Sequence, residues 1–276
     1  NLKINIYFSI LTKSYEFSAS TAFSHLSRAY EWFRKISGKP EDFSQIELVL
    51  SDIEKRRLRG PAYLQPSFND TVRRPTIVLS DIMQNDQKKL KNGVYRLENL
   101  YTDIDPIMHE LGHYILFKRI KFDKAIIHKA IIEGLPDFFV AALTKDPCLG
   151  ESICSKNHKN LCVSNRCLRS ADNNYLKTSI LYEYNCKNNY HRCGQALSGI
   201  LWRFGIRKEV GLEIAAKLVY KSIAYFPQYN LSFLDVFDSM RKADQLHFSS
   251  KYISHLISTL KERKFTSIAK KLEESI

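Results

Sequence analysis

The 276-residue chain is expected to be an α+β protein of two lobes, a mixed sheet with an apolar helix first and a mainly helical region after it. Three observations predict this. Short runs of strand type fill the first 80 residues: Leu2, Ile4, Ile6, Phe8 and Ile10 alternate, and QIELVL (45–50) and TIVL (76–79) follow. A stretch at 104–120 carries apolar residues at helical spacing together with two histidines. From residue 209 onward the apolar period is helical throughout. The expected division is an N-terminal α/β lobe at 1–122 and a helical lobe at 123–276, with a cysteine-rich insertion at 146–195. A hydrophobic content of 44% supplies ample material for a core.

Each element has a local reason. Residues 2–17 read as a strand or hairpin. Residues 20–37 place Phe23, Leu26, Tyr30 and Phe33 on one helical face, between a Ser20 or Thr21 N-cap and Gly38 as C-cap. After the basic cluster Lys55–Arg59, the runs around Ala62–Leu64 and 76–79 give two further strands about a turn. A helix at 104–120 is followed by a basic turn at 121–124 and a second helix at 126–143. In that helix Pro136 lacks a donor and is expected to kink or restart it near Glu133. Helices at 209–225, 232–248 (N-cap Ser232), 250–260 and 267–272 complete the chain.

The chemistry concentrates in DIDPIMHELGHY, residues 103–114. His109 and His113 are four apart, so a helix stacks both imidazoles on one face, where they can hold one metal ion. Ile104, Ile107, Met108, Leu111, Ile115 and Leu116 form an apolar stripe that buries this helix, and buried histidines need partners. Glu110 stands one step round, within reach of a water on the same ion. Zinc lowers the pKa of such a water, and a neighbouring carboxylate can take its proton and pass it to a leaving amine. A third protein ligand is required. Leu116 and Arg119 exclude the extended three-histidine pattern. Glu133, 20 residues beyond His113, suits a helix–turn–helix return, and Asp137 one turn later could hold a ligand histidine by its free ring N–H. His128 is the rival ligand.

His109-Glu110-x-x-His113, the 20-residue gap and Glu133-x-x-x-Asp137 resemble the gluzincin metallopeptidases, the thermolysin-like zinc enzymes. The resemblance implies a two-lobed zincin fold, Zn2+ on His109, His113 and Glu133, and Glu110 as general base, with Asp137 supporting a ligand. Tyr190-His191-Arg192-Cys193-Gly194 is similar to a segment that opens a helix facing the zinc in such enzymes. It would place His191, or Tyr190 beside it, as donor to the oxyanion. Ala62 and Tyr63 would lie on an edge strand that binds peptide substrate by main-chain addition. Three departures stand out. Pro61 replaces a substrate-gripping Asn, Pro136 replaces a small residue, and no Tyr lies between Tyr114 and Tyr175. The resemblance implies a zinc metalloendopeptidase acting on a peptide or protein substrate; the alternative is a secreted binding protein that keeps the gluzincin fold without turnover.

No apolar run is long enough to span a membrane. The formal charge of +13 allows an anionic surface partner, but the charges are spread along the chain and read first as solvated faces, and the absence of any zinc-finger or RNA-binding signature argues against nucleic acid. The six cysteines fall in one third of the chain without a C-x-x-C pair. They are expected to form three disulfides in an oxidising, secreted or periplasmic compartment. An opening Asn1 fits a trimmed precursor.

Overall fold

Eight α-helices carry most of the described structure. The computed structural model describes residues 5–8, 15–38, 47–51, 62–65, 76–80, 103–121, 123–151, 154, 162, 166–174 and 190–276; side chains before residue 100 are described only for 20–38 and for Ile77. The chain divides into two compact units, residues 1–114 with 150–168, and residues 115–149 with 169–276.

In the first unit, strands β1 (Asn5–Phe8), β2 (Glu47–Ser51), β3 (Ala62–Gln65) and β4 (Thr76–Ser80) pair in the order β1-β2-β4-β3. The first two pairings are parallel, and β3 runs antiparallel to β4 with Ala62 opposite Leu79. Helix α1 (Tyr15–Ser37) buries Ala22, Leu26, Ala29, Phe33 and Ile36, a three–four spacing on one face. It ends at Gly38, whose φ of 70° is the left-handed geometry that glycine adopts without strain. Helix α2 (Ile104–Phe117) begins where the Asp103 carboxylate accepts the backbone N–H of Asp105. Pro106 lies within the first turn, where a missing N–H costs no helical bond. The Asp105 carboxylate is itself buried and accepts the N–H of Gly150 at 2.8 Å.

The second unit is built on α3 (Ile126–Thr144) and α4 (Tyr190–Gly205), its most extensively packed pair. Around them stand α5 (Leu212–Ser222), α6 (Phe233–Phe248), α7 (Ile253–Glu262), α8 (Thr266–Glu273) and a two-residue hairpin of β5 (Cys148–Leu149) and β6 (Arg169–Ser170). Helix α6 starts with a reciprocal cap between Ser232 and Asp235. At its far end the buried Asp244 carboxylate accepts the N–H groups of Tyr252 and Ile253, closing the start of α7.

Two expectations need correction. The α+β, two-lobed zincin class with a sheet-built N-terminal lobe gives way to a mostly helical structure among the described residues: there the strands run to five residues at most, and only the two-residue hairpin β5/β6 is described with the side chains of both strands. The long apolar periods in this sequence are helical, and the alternating runs are too short to build more. Nor does α3 restart near Glu133. It runs unbroken past Pro136, which is buried among apolar neighbours, so tertiary packing outweighs the lost backbone bond.

Cys154 and Cys162 form a disulfide, Cys148, Cys167 and Cys193 are also disulfide-bonded, and no free cysteine stands among the described residues. Such bonding belongs to an oxidising environment. Among the described residues no helix is long and apolar enough to cross a membrane.

Candidate metal centre

The apolar stripe of α2 sets the position of its histidines. Ile107, Met108, Leu111, Ile115 and Leu116 are all buried, which draws the flanking polar residues inward. His109, Glu110 and His113 are 7%, 6% and 8% exposed. The two imidazoles stack edge to face, 4.6 Å between centroids, as a four-residue helical step dictates. His109, His113 and Glu133 each offer one ligand atom, and the three atoms lie within 4.8 Å of one another. Two imidazoles and a carboxylate are a donor set that zinc takes with a fourth position left open, so the residues fit a metal ion.

On the other side of Glu133 stands the start of α4. His191 Nδ1 lies 3.1 Å from Glu133 Oε2, a close contact not aligned as a hydrogen bond. The Tyr190 ring packs on that of His191, 4.5 Å between centroids, with the Lys129 ammonium 5.9 Å from the Tyr190 centroid. Burial, and then the charge of Glu133, push the Tyr190 phenol above its ordinary range, so it stays protonated and able to donate.

The residues that bring these groups together are glycines. A Cβ on Gly134 would lie 2.4 Å from the Gly194 carbonyl oxygen, and one on Gly194 would lie 2.8 Å from the Ala130 carbonyl oxygen. Backbone therefore meets backbone where α3 crosses α4, immediately after Glu133 and one turn after His191. Gly194, three residues after His191, is required by this crossing.

Asp137 is fully buried and receives Nε–H and Nη2–H of Arg169 at 2.8 and 2.9 Å, a two-pronged ion pair from the hairpin strand β6. Sequence reasoning missed Arg169, which lies 32 residues away with no motif to mark it. The rival ligand His128 is accounted for otherwise. It is fully buried, its Nδ1 accepts the N–H of Leu231 at 3.2 Å, and its Nε2–H donates to the Lys121 carbonyl at 3.0 Å. Ala62 and Tyr63 belong to β3, at one end of the strand order, and their side chains lie outside the described residues. Tyr175 and Pro61 also lie outside them.

No protein-family model matches the sequence, and no curated protein matches it.

Proposed function

We propose that the protein is a zinc-dependent metalloendopeptidase of gluzincin type. The observation that carries this reading is the convergence of His109, His113 and Glu133 on one point, with the buried Glu110 next to His109 on the same helix. Zinc, when bound, supplies a Lewis acid and a water of lowered pKa. Glu110 then takes the proton of the attacking water on a carboxylate oxygen and delivers it to the leaving nitrogen. The protonated Tyr190 phenol, or His191 beside it, donates to the oxyanion that develops on the substrate carbonyl. Asp137, fixed by Arg169, stiffens α3 one turn beyond Glu133. An extended peptide added alongside Ala62 and Tyr63 is the substrate geometry that an end strand favours. The disulfides support action outside the cytoplasm, in a secreted or periplasmic setting, and the charge of +13 supports an anionic surface partner.

Elemental analysis of the purified protein tests the reading directly. About one zinc per chain is expected for wild type and Glu110→Gln, and little for Glu133→Ala. Casein cleavage that stops with chelator and in Glu110→Gln is the expected activity. Zinc retained with no cleavage of casein or a peptide library would leave a binding protein; Glu110→Gln that still cleaves would overturn the mechanism.

A further inference from the structure

We infer that His191 is a positioning residue: its Nδ1–H holds the Glu133 carboxylate in place for the metal, at a distance set by the Gly134–Gly194 helix crossing. This rests on the metal reading above. His191 Nδ1 is a buried atom 3.1 Å from Glu133 Oε2 and, as the contact stands, has no aligned hydrogen-bond partner, Glu133 included. A carboxylate oxygen only accepts, so a small turn of the ring with the proton on Nδ1 would complete a hydrogen bond across this contact. His191 does not belong to the set of ligand atoms that lie within 4.8 Å of one another, so it is a neighbour of Glu133 rather than a fourth candidate ligand. A carboxylate that gives one oxygen to a metal and has the other held by an N–H keeps a single orientation, and such outer partners raise metal affinity.

The backbone fixes this partner. Gly194 follows His191 by one helical turn, and Gly134 directly follows Glu133. Their main chains touch so closely that a single Cβ on either would meet a carbonyl oxygen. The Tyr190 ring covers one face of the imidazole and limits its rotation. The oxyanion role expected for His191 would instead use Nε2. The two roles therefore predict opposite rescue patterns, because the Asn amide nitrogen replaces Nδ1 and the Gln amide nitrogen replaces Nε2.

The experiment is zinc affinity of the full chain by competition with a chromogenic chelator, alongside the thermal midpoint of the metal-free protein. The His191 ring is 40% exposed, so removing it should leave that midpoint unchanged. Expected are about ten- to hundredfold weaker zinc binding in His191→Ala and His191→Gln, and a loss below about threefold in His191→Asn. Gly194→Ala, which moves α4 with the imidazole intact, should weaken zinc as well. His191→Ala or Gly194→Ala binding zinc as tightly as wild type would overturn the inference, and so would rescue by Gln but not by Asn. A wild-type chain that takes up no zinc would overturn the metal reading itself, and that failure shows before any variant is compared.

Discussion

Helix α2 and the α3–α4 pair both carry residues of the candidate site, and they reach it by different physics. On α2 one short segment does everything. The helical period places His109 and His113 on one face, and the apolar stripe pulls them into the interior. On α3 and α4 nothing local suffices. Glu133 sits beside a crossing of two glycines from distant parts of the sequence, with His191 of α4 3.1 Å away and the Asp137–Arg169 pair one turn on. The first region is specified by propensity and pattern, the second by packing. Mutations at the α3–α4 crossing and at the Asp137–Arg169 pair should therefore act on the fold as well as on the metal, whereas the part-exposed His191 should act on the metal alone.

Arg169→Ala gives the sharpest form of that contrast. It leaves the Asp137 carboxylate buried without the cation that grips both of its oxygens, and breaking a buried pair in this way costs about 3–5 kcal/mol. Urea unfolding of the metal-free protein should show that loss, and Arg169→Lys, which keeps charge but not the fork, should fall between the two. The double change Arg169→Met with Asp137→Leu should recover most of it, since neither charge then remains buried. A loss under 1 kcal/mol for Arg169→Ala would mean that this pair is not what holds α3, and the contrast between the regions would fail.

Gly134→Ala comes next. Its Cβ would sit 2.4 Å from a main-chain carbonyl oxygen, which cannot swing aside as a side chain could. Overpacking of this kind costs about 1–3 kcal/mol, enough to lower the thermal midpoint clearly. The gain in helix propensity from Gly to Ala works the other way by up to about 1 kcal/mol, so a stabilised variant would show that α3 and α4 can part without penalty.

The same contrast explains how far the sequence could be read. His109, His113 and Glu133 were legible as a possible metal group because a four-residue step and a 20-residue return suit a helix–turn–helix. Ser232 as N-cap and Gly38 as C-cap were legible for the same reason, each acting within one turn of its own position. The crossing at Gly134 and Gly194 was not, because a glycine inside a helix reads only as a weak propensity until its neighbour is known. Arg169 carried no signal either, since the partner of a buried Asp137 is chosen by tertiary structure. The fold class failed where alternation was trusted over short runs: four-residue strands satisfy the pattern without building a lobe. At Pro136 the expected restart does not occur, because a rule for isolated helices was applied to a stretch, Gly134–Leu143, that is buried throughout.

His128 gives the smallest effect and the cleanest test of which histidines the fold has committed. Burial pulls its pKa below the ordinary 6.5, against a smaller opposing pull from Asp123 and the Lys121 carbonyl. The geometry agrees, because Nδ1 accepts the Leu231 N–H and is already used when the ring is neutral. A depressed histidine contributes its stability above the unfolded value, near pH 6.5, and loses it as the pH falls toward the folded pKa, since the unfolded chain takes up the proton first. Protonation would set a donor against the Leu231 N–H, and one lost hydrogen bond costs about 1 kcal/mol. Metal-free protein should therefore be less stable to urea at pH 5 than at pH 7.5 by roughly that amount. His128→Asn should be weaker at both pH values and should flatten the dependence between them. The expected direction rests on a histidine held neutral by burial, with its Nδ1 already accepting from Leu231; the same slope surviving in His128→Asn would mean that His128 is not the source of the acid sensitivity, and the contrast would lose this test.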